Sequence, residues 1–154
     1  MLSSEKKQTI DVFEIDSPKF SITPSPLNLE SSLKNAGIQY ALVADYHITF
    51  AGKAFHSDIP FMIGIHFNPS KVKYIEIYRM PEYCQSKKYD INASFIELSN
   101  ILKQQYGMPT VTTSASIGSN PCELFLTHHY AINHFIRERF GLEERIHINF
   151  YQRA

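Results

Sequence analysis

Lys73-Tyr74-Ile75-Glu76-Ile77-Tyr78 and Ile146-His147-Ile148-Asn149-Phe150-Tyr151 share one grammar. In each, apolar residues alternate with Tyr, His, Glu or Asn at period two, the mark of a strand with one buried and one open face. Set against each other without a gap from Phe67 and Phe140, Ile75 corresponds to Ile148, Ile77 to Phe150 and Tyr74 to His147.

Each stretch closes a longer unit, a glycine-terminated helix followed by alternating strands; the units span residues 25–79 and 90–153. In the first, Ser25 is placed to cap a helix, with Pro26 in its first turn and Gly37 at its left-handed end. Leu29, Leu33 and Ala36 give that helix an apolar stripe. Strand-like runs follow within 40–50, 54–56, 59–67 and 72–78, with turns expected at 51–53 and at Asn68-Pro69-Ser70. In the second unit, Asp90 or Asn92 caps a helix running to Tyr106, with Ile91, Phe95, Leu98 and Leu102 inward and Gly107 at its end. Residues 110–117 predict an edge strand, and 123–131 and 133–139 extended segments. Residues 132–140 fit a short helix equally, and 145–151 make the last strand. Ahead of both units, 1–9 is a loose polar lead-in, 12–15 a short strand and 17–26 a proline-rich surface loop; residues 80–89 link the halves. The expectation is a single α+β domain over residues 1–154. Two helix-plus-meander units share an antiparallel sheet, with both main helices on one face.

A chain of 154 residues can bury roughly 68–70% of its unfolded surface around one core. Lys+Arg and Asp+Glu both total 15, so the basic surplus with which a dedicated nucleic-acid binder neutralises phosphates is missing. No apolar stretch approaches the ~18 residues of a membrane span, and the first residues lack the apolar core of a signal peptide. Cys84 and Cys122 form no C-x-x-C pair. A cytoplasmic protein without nucleic-acid or membrane partners is expected.

The seven histidines are the compositional excess. Histidine titrates near neutrality and ligates metals, yet His-Glu-x-x-His is absent, and His128-His129 in a strand would point to opposite faces. Neither Gly-x-Ser-x-Gly nor a glycine-rich phosphate loop occurs. No catalytic residue, metal or cofactor is therefore assigned. The competing reading is a histidine-dependent hydrolase or metal-dependent enzyme using His128 or His129, His134 and Glu138 within 123–139. A third is a small-ligand carrier lined by Phe61, Ile65, Phe95 and Phe150.

The open face says more. With Ile75, Ile77, Ile148 and Phe150 turned to the helices, Tyr74, Glu76, Tyr78, His147, Asn149 and Tyr151 point the other way. Met62 and His66 share that side. Asp45 and His47 join them if Leu42, Ala44, Tyr46, Ile48 and Phe50 are buried. Tyr, His and Asn on a sheet give the amphipathic area with few rotamers that protein-recognition surfaces use. The leading expectation is a non-enzymatic module that binds another protein through those six residues.

The order of helix, glycine and antiparallel strands, twice over, resembles the tandem helix-plus-meander domains of the beta-lactamase inhibitor protein type and of small outer-membrane assembly lipoproteins. The lipoproteins' lipobox cysteine has no counterpart here. Phe95-Ile96-Glu97-Leu98, Tyr106-Gly107-Met108-Pro109 and Arg139-Phe140-Gly141-Leu142-Glu143-Glu144 are also similar to segments of small uncharacterised bacterial proteins associated with toxin immunity. The resemblance implies action by binding, and carries over no catalytic residue.

Overall fold

A computed structural model describes residues 11–81, 90–113 and 120–152. The period-two runs are realised as strands β1 (Phe13–Ile15), β2 (Phe20–Ile22), β3 (Ala41–Ala44), β4 (His47–Gly52), β5 (Phe61–Asn68), β6 (Lys71–Arg79), β7 (Val111–Thr113), β8 (Cys122–Leu126), β9 (Tyr130–Glu138) and β10 (Leu142–Phe150). Helix α1 (Leu29–Asn35) precedes β3, and α2 (Ile91–Tyr106) precedes β7. β1 and β2 form a small hairpin, while the other strands make one antiparallel eight-stranded sheet in the order β3-β4-β5-β6-β10-β9-β8-β7.

That order gives each unit its own four-strand meander and joins the two at their last strands. Across the seam, Ile77 lies opposite Ile146, Glu76 opposite His147 and Ile75 opposite Ile148. Both strands have nine residues, and Glu76 and His147 each stand sixth. Strand ends thus make Glu76 the counterpart of His147. The gap-free sequence alignment is displaced from this by two residues, a shift that leaves every side chain on its expected face.

On one face, Ile48, Ile63, Ile65, Ile75, Ile77, Ile132, Ile146 and Ile148 are fully buried. The same cluster takes in Phe13, Ile15, Phe20 and Ile22 of the hairpin, Leu29 and Leu33 of α1, and Leu98 and Leu102 of α2. All described elements outside the large sheet therefore cover the same side, and the architecture is α+β. Phe61 and Ile65 are ordinary members of this core. Among the described residues, no helix is long and apolar enough to cross a membrane.

Several local expectations are corrected. Helix α1 is capped by Asn28, whose side chain accepts from the Ser31 amide at 3.0 Å, and not by Ser25. The chain just before bends at Pro24 and Ser25 and is tied to the sheet there, the Pro24 carbonyl accepting from the Val72 amide at 2.8 Å. Gly37, at φ 73, follows the helix as anticipated. The 17–26 loop contains β2, which pairs back onto β1. Residues 51–53 are no turn: β4 runs through Gly52, and Lys53 pairs with Ser17. The turn falls at Phe55 and His56, both left-handed, where the His56 amide donates to Asp16 Oδ2 at 2.7 Å. Leu42, Ala44 and Tyr46 are exposed, since β3 is the sheet's edge and carries a bulge between Leu42 and Ala44. Asp45 lies in the β3–β4 turn. The helical option for 132–140 gives way to β9, and α2 starts after Asp90, which caps it by accepting from Asn92 and Ala93. Of the expected 110–117 edge strand, 111–113 are β7; residues 114–117, the 82–89 part of the linker and Cys84 lie outside the described residues.

The seam carries a testable energy. Ile148→Ala removes a fully buried side chain beside Ile75 and should lower stability by about 2–5 kcal/mol, measured by urea unfolding. A loss below about 1 kcal/mol would contradict the packing described.

Candidate functional site

The face turned away from the helices is organised by rings. His47, His66, Tyr74, His147 and Phe135 come from the neighbouring strands β4, β5, β6, β10 and β9. Ring centroids are 3.8 Å apart for His47–His66, 4.3 Å for His66–Tyr74 and 4.7 Å for Tyr74–His147, with interplanar angles of 21°, 18° and 26°. Phe135 ends the row edge-on to His147 at 4.9 Å. Register produces the row, because His66 is directly opposite both His47 and Tyr74.

Centroid spacings this close to the ~4.7–4.9 Å separation of strands mean that the stacking runs from strand to strand. His66 and Tyr74 each have a neighbouring ring stacked on both faces. A nucleobase platform needs exposed ring faces, which these two central rings do not offer. Gly64 makes room for the first ring: a Cβ there would lie 3.2 Å from His47 Nε2.

Charged groups flank the row. Glu76 Oε2 accepts from His147 Nε2 at 2.8 Å and lies 3.5 Å from Arg137 Nη2. Burial pushes the Glu76 carboxyl up, but the hydrogen bond and charge of His147, with Arg145 and Arg137, prevail and hold it at about 2. The Arg145 guanidinium lies 4.1 Å from the centre of the Tyr78 ring, and Glu143 pairs with both Arg137 and Arg145.

Of the six residues picked from the sequence, Tyr74, Glu76, Tyr78, His147 and Asn149 sit half-buried on this face by the alternation of β6 and β10. Tyr151 lies just past β10 and donates its hydroxyl to the Thr127 carbonyl at 2.8 Å, tying the chain end to the β8–β9 turn. Phe135, Arg137 and Arg145 escaped the sequence reading. The ambiguity of 132–140 between helix and strand concealed the facing of the first two.

A second polar cluster lies on the opposite face, beneath α2. His134 is 0% exposed, with Nδ1 2.8 Å from Glu123 Oε1 and Nε2 2.6 Å from Glu144 Oε2. Ser99 of α2 donates to Glu123 at 3.0 Å, and Ser94 donates to Glu144 while accepting from Arg79. Arg79 also reaches Glu97 at 2.7 Å. Phe95 stacks on His134 with centroids 4.0 Å apart, sealing the imidazole from above. Burial alone would lower the His134 pKa, but carboxylates on both nitrogens raise it and hold the ring as an imidazolium.

This arrangement is poorly suited to catalysis. A nucleophilic triad places the base between hydroxyl and acid. Here Glu123 stands between Ser99 and His134, so the imidazole does not face the hydroxyl. With both nitrogens engaged by carboxylates, His134 has no lone pair to offer a metal. His129 pairs instead with Asp11 at 2.8 Å, His128 is exposed in the β8–β9 turn, and Glu138 is exposed at the far end of β9. At ~3.3 Å per strand residue, roughly 30 Å separates His128 from Glu138, so the structure does not bring the enzyme candidates together. Among the described residues, no group of three His, Cys, Asp or Glu is arranged to hold a metal ion.

The sandwich makes a signed prediction. A raised folded pKa means that the His134 contribution is complete below its unfolded value of ~6.5 and fades as pH climbs through the folded one. Urea midpoints of the wild type should therefore carry a decline on the alkaline side that His134→Gln lacks; parallel profiles would refute the imidazolium assignment.

No protein-family model matches the chain, and no curated protein matches it. Among solved structures, it is similar to the crystal structure of a DUF4309 family protein (YjgB) from Bacillus subtilis subsp. subtilis str. 168, with a TM-score of 0.39 and 8% sequence identity. The match covers 67% of this chain and 64% of that one, so the chain spans less than two-thirds of that protein's length.

Proposed function

We propose that this chain is a non-enzymatic protein-binding module acting through the outer face of its sheet, as an inhibitor or toxin-immunity protein that occludes its partner in the cytoplasm. The observation that carries the reading is the ring row His47–His66–Tyr74–His147, already stacked in the chain by itself, with Phe135 edge-on at its end. Association is opposed by the freezing of side chains, at about 0.5–1.5 kcal/mol for each flexible one. Rings held by their neighbours across five strands have largely met that cost on folding. The row supplies amphipathic area, Tyr78 beneath Arg145 adds a second aromatic anchor, and the Glu143, Arg137 and Glu76 pairs form a polar border. The enzyme reading draws no comparable support, because its residues are dispersed or sealed.

The test begins with a partner captured on the tagged wild-type chain and identified by mass spectrometry. Its affinity is then measured by titration calorimetry against wild type and against a Tyr74→Ala, Tyr78→Ala double variant. A loss of roughly 30-fold or more, the range of anchor residues, is expected, with the urea midpoint showing the variant folded. Unchanged affinity in a folded variant would overturn the proposal.

A further inference from the structure

We propose that the stacked imidazoles His47 and His66 make the outer face a proton-operated switch, closed at neutral pH and opened by acid while the core beneath stays folded. The proposal rests on the reading of this face as the recognition surface, and adds to it a means of release.

His66 is the pivot. Its ring lies between His47 on β4 and Tyr74 on β6, at 3.8 and 4.3 Å. Its Nε2 is shut off from solvent and has no hydrogen-bond partner among the described residues. An imidazolium donates from both nitrogens. Whichever tautomer the neutral ring adopts, protonation in the closed stack would leave a buried, charged N–H with no acceptor. The ring can take a proton comfortably only by swinging out.

The groups around it reinforce this. His47 faces it from β4, His147 approaches from β10, and Lys73, Tyr74 and Glu76 come from β6. Glu76 alone favours a positive charge, and it is already engaged by His147 at 2.8 Å with Arg137 at 3.5 Å. Burial first, then His47, His147 and Lys73 against the opposing Glu76, hold the His66 pKa down at about 4. The sign follows. The open form accepts the proton more readily than the closed one, so the closed stack is favoured above the ordinary value of 6.5 and loses ground as pH falls toward 4.

The backbone has anchors of its own besides the stack. β4 and β5 are paired from His47↔His66 through Gly52↔Phe61, and Ile48, Ile63 and Ile65 anchor them from the buried side. Opening would break the row into separate rings and remove the surface on which a partner was matched.

The experiment is an aromatic and methyl NMR titration of the full chain from pH 7.5 to 4. Stacking should displace the Tyr74 and His47 ring resonances at pH 7.5. Those displacements should collapse between about pH 6 and 4, while the methyls of Ile63, Ile75 and Ile148 keep native positions. In His66→Phe, which keeps a ring and cannot take a proton, the collapse should be absent. The proposal is overturned if wild-type Tyr74 holds its position to pH 4, if the core methyls are lost in the same step, or if a folded His66→Phe collapses like wild type. Should that variant not fold, the wild-type titration decides alone. With a partner identified as above, acid release lost in His66→Phe supports the switch acting on recognition. A stack that opens in a chain whose Tyr74→Ala, Tyr78→Ala affinity is unchanged retains the switch and overturns only the binding reading.

Discussion

The pairing of β6 with β10 is the constraint on which the rest depends. Among the described residues it is where the two helix-plus-meander units become a single sheet, and both polar clusters are assembled across it. Beneath α2, Arg79 of β6 and Glu144 of β10 converge on Ser94. On the other side, Glu76 of β6 meets His147 of β10, and Tyr74 stacks on the same imidazole. Between those layers the isoleucines of the two strands oppose one another in the core. Because the side-chain period is two, a slip of one residue would exchange the layers and bury the rings beneath the helix.

Legibility followed the range of the physics. Alternation is a local property, so the facing of Ile75, Ile77 and Ile148 inward and of Tyr74, Glu76, Tyr78 and His147 outward could be read directly. Gly37 and Gly107 marked helix ends because a left-handed residue favours glycine. What failed was decided by distant partners. Ser25 has the chemistry of a cap, but the bond between Pro24 and Val72 ties its neighbourhood to the sheet in a bend, and the cap falls to Asn28. The 54–56 segment has the composition of a strand, yet Asp16 accepts the His56 amide and turns the chain.

The His134 sandwich went unread for a related reason, although the sequence held a trace of it. Arg79 follows Ile75 and Ile77 in phase, His134 stands between Ile132 and Ile136, Glu144 leads into Ile146 and Ile148, and Glu123 precedes Phe125. Each is a charged or titratable group at an inward position of its own strand. One such residue is an irregularity; four from strands that share a sheet imply that they meet, since none is tolerated there unpaired. Ser94 and Ser99 on the inner side of α2 complete the pattern from the helix. Together they fix where the helix sits, a role that apolar contacts through Leu98 and Leu102 fill with less directional precision.

The β3 end of the sheet has a consequence of another kind. Ala41–Ala44 is exposed throughout, with Leu42 and Val43 more than half open to solvent and no charge among its four residues. A neutral apolar edge is normally an invitation for strands of other molecules to continue the sheet. Its brevity and the bulge between Leu42 and Ala44 restrict the run of backbone groups it can offer as a template. At this margin the interruption of the ladder comes from backbone geometry, where other sheets place a lysine.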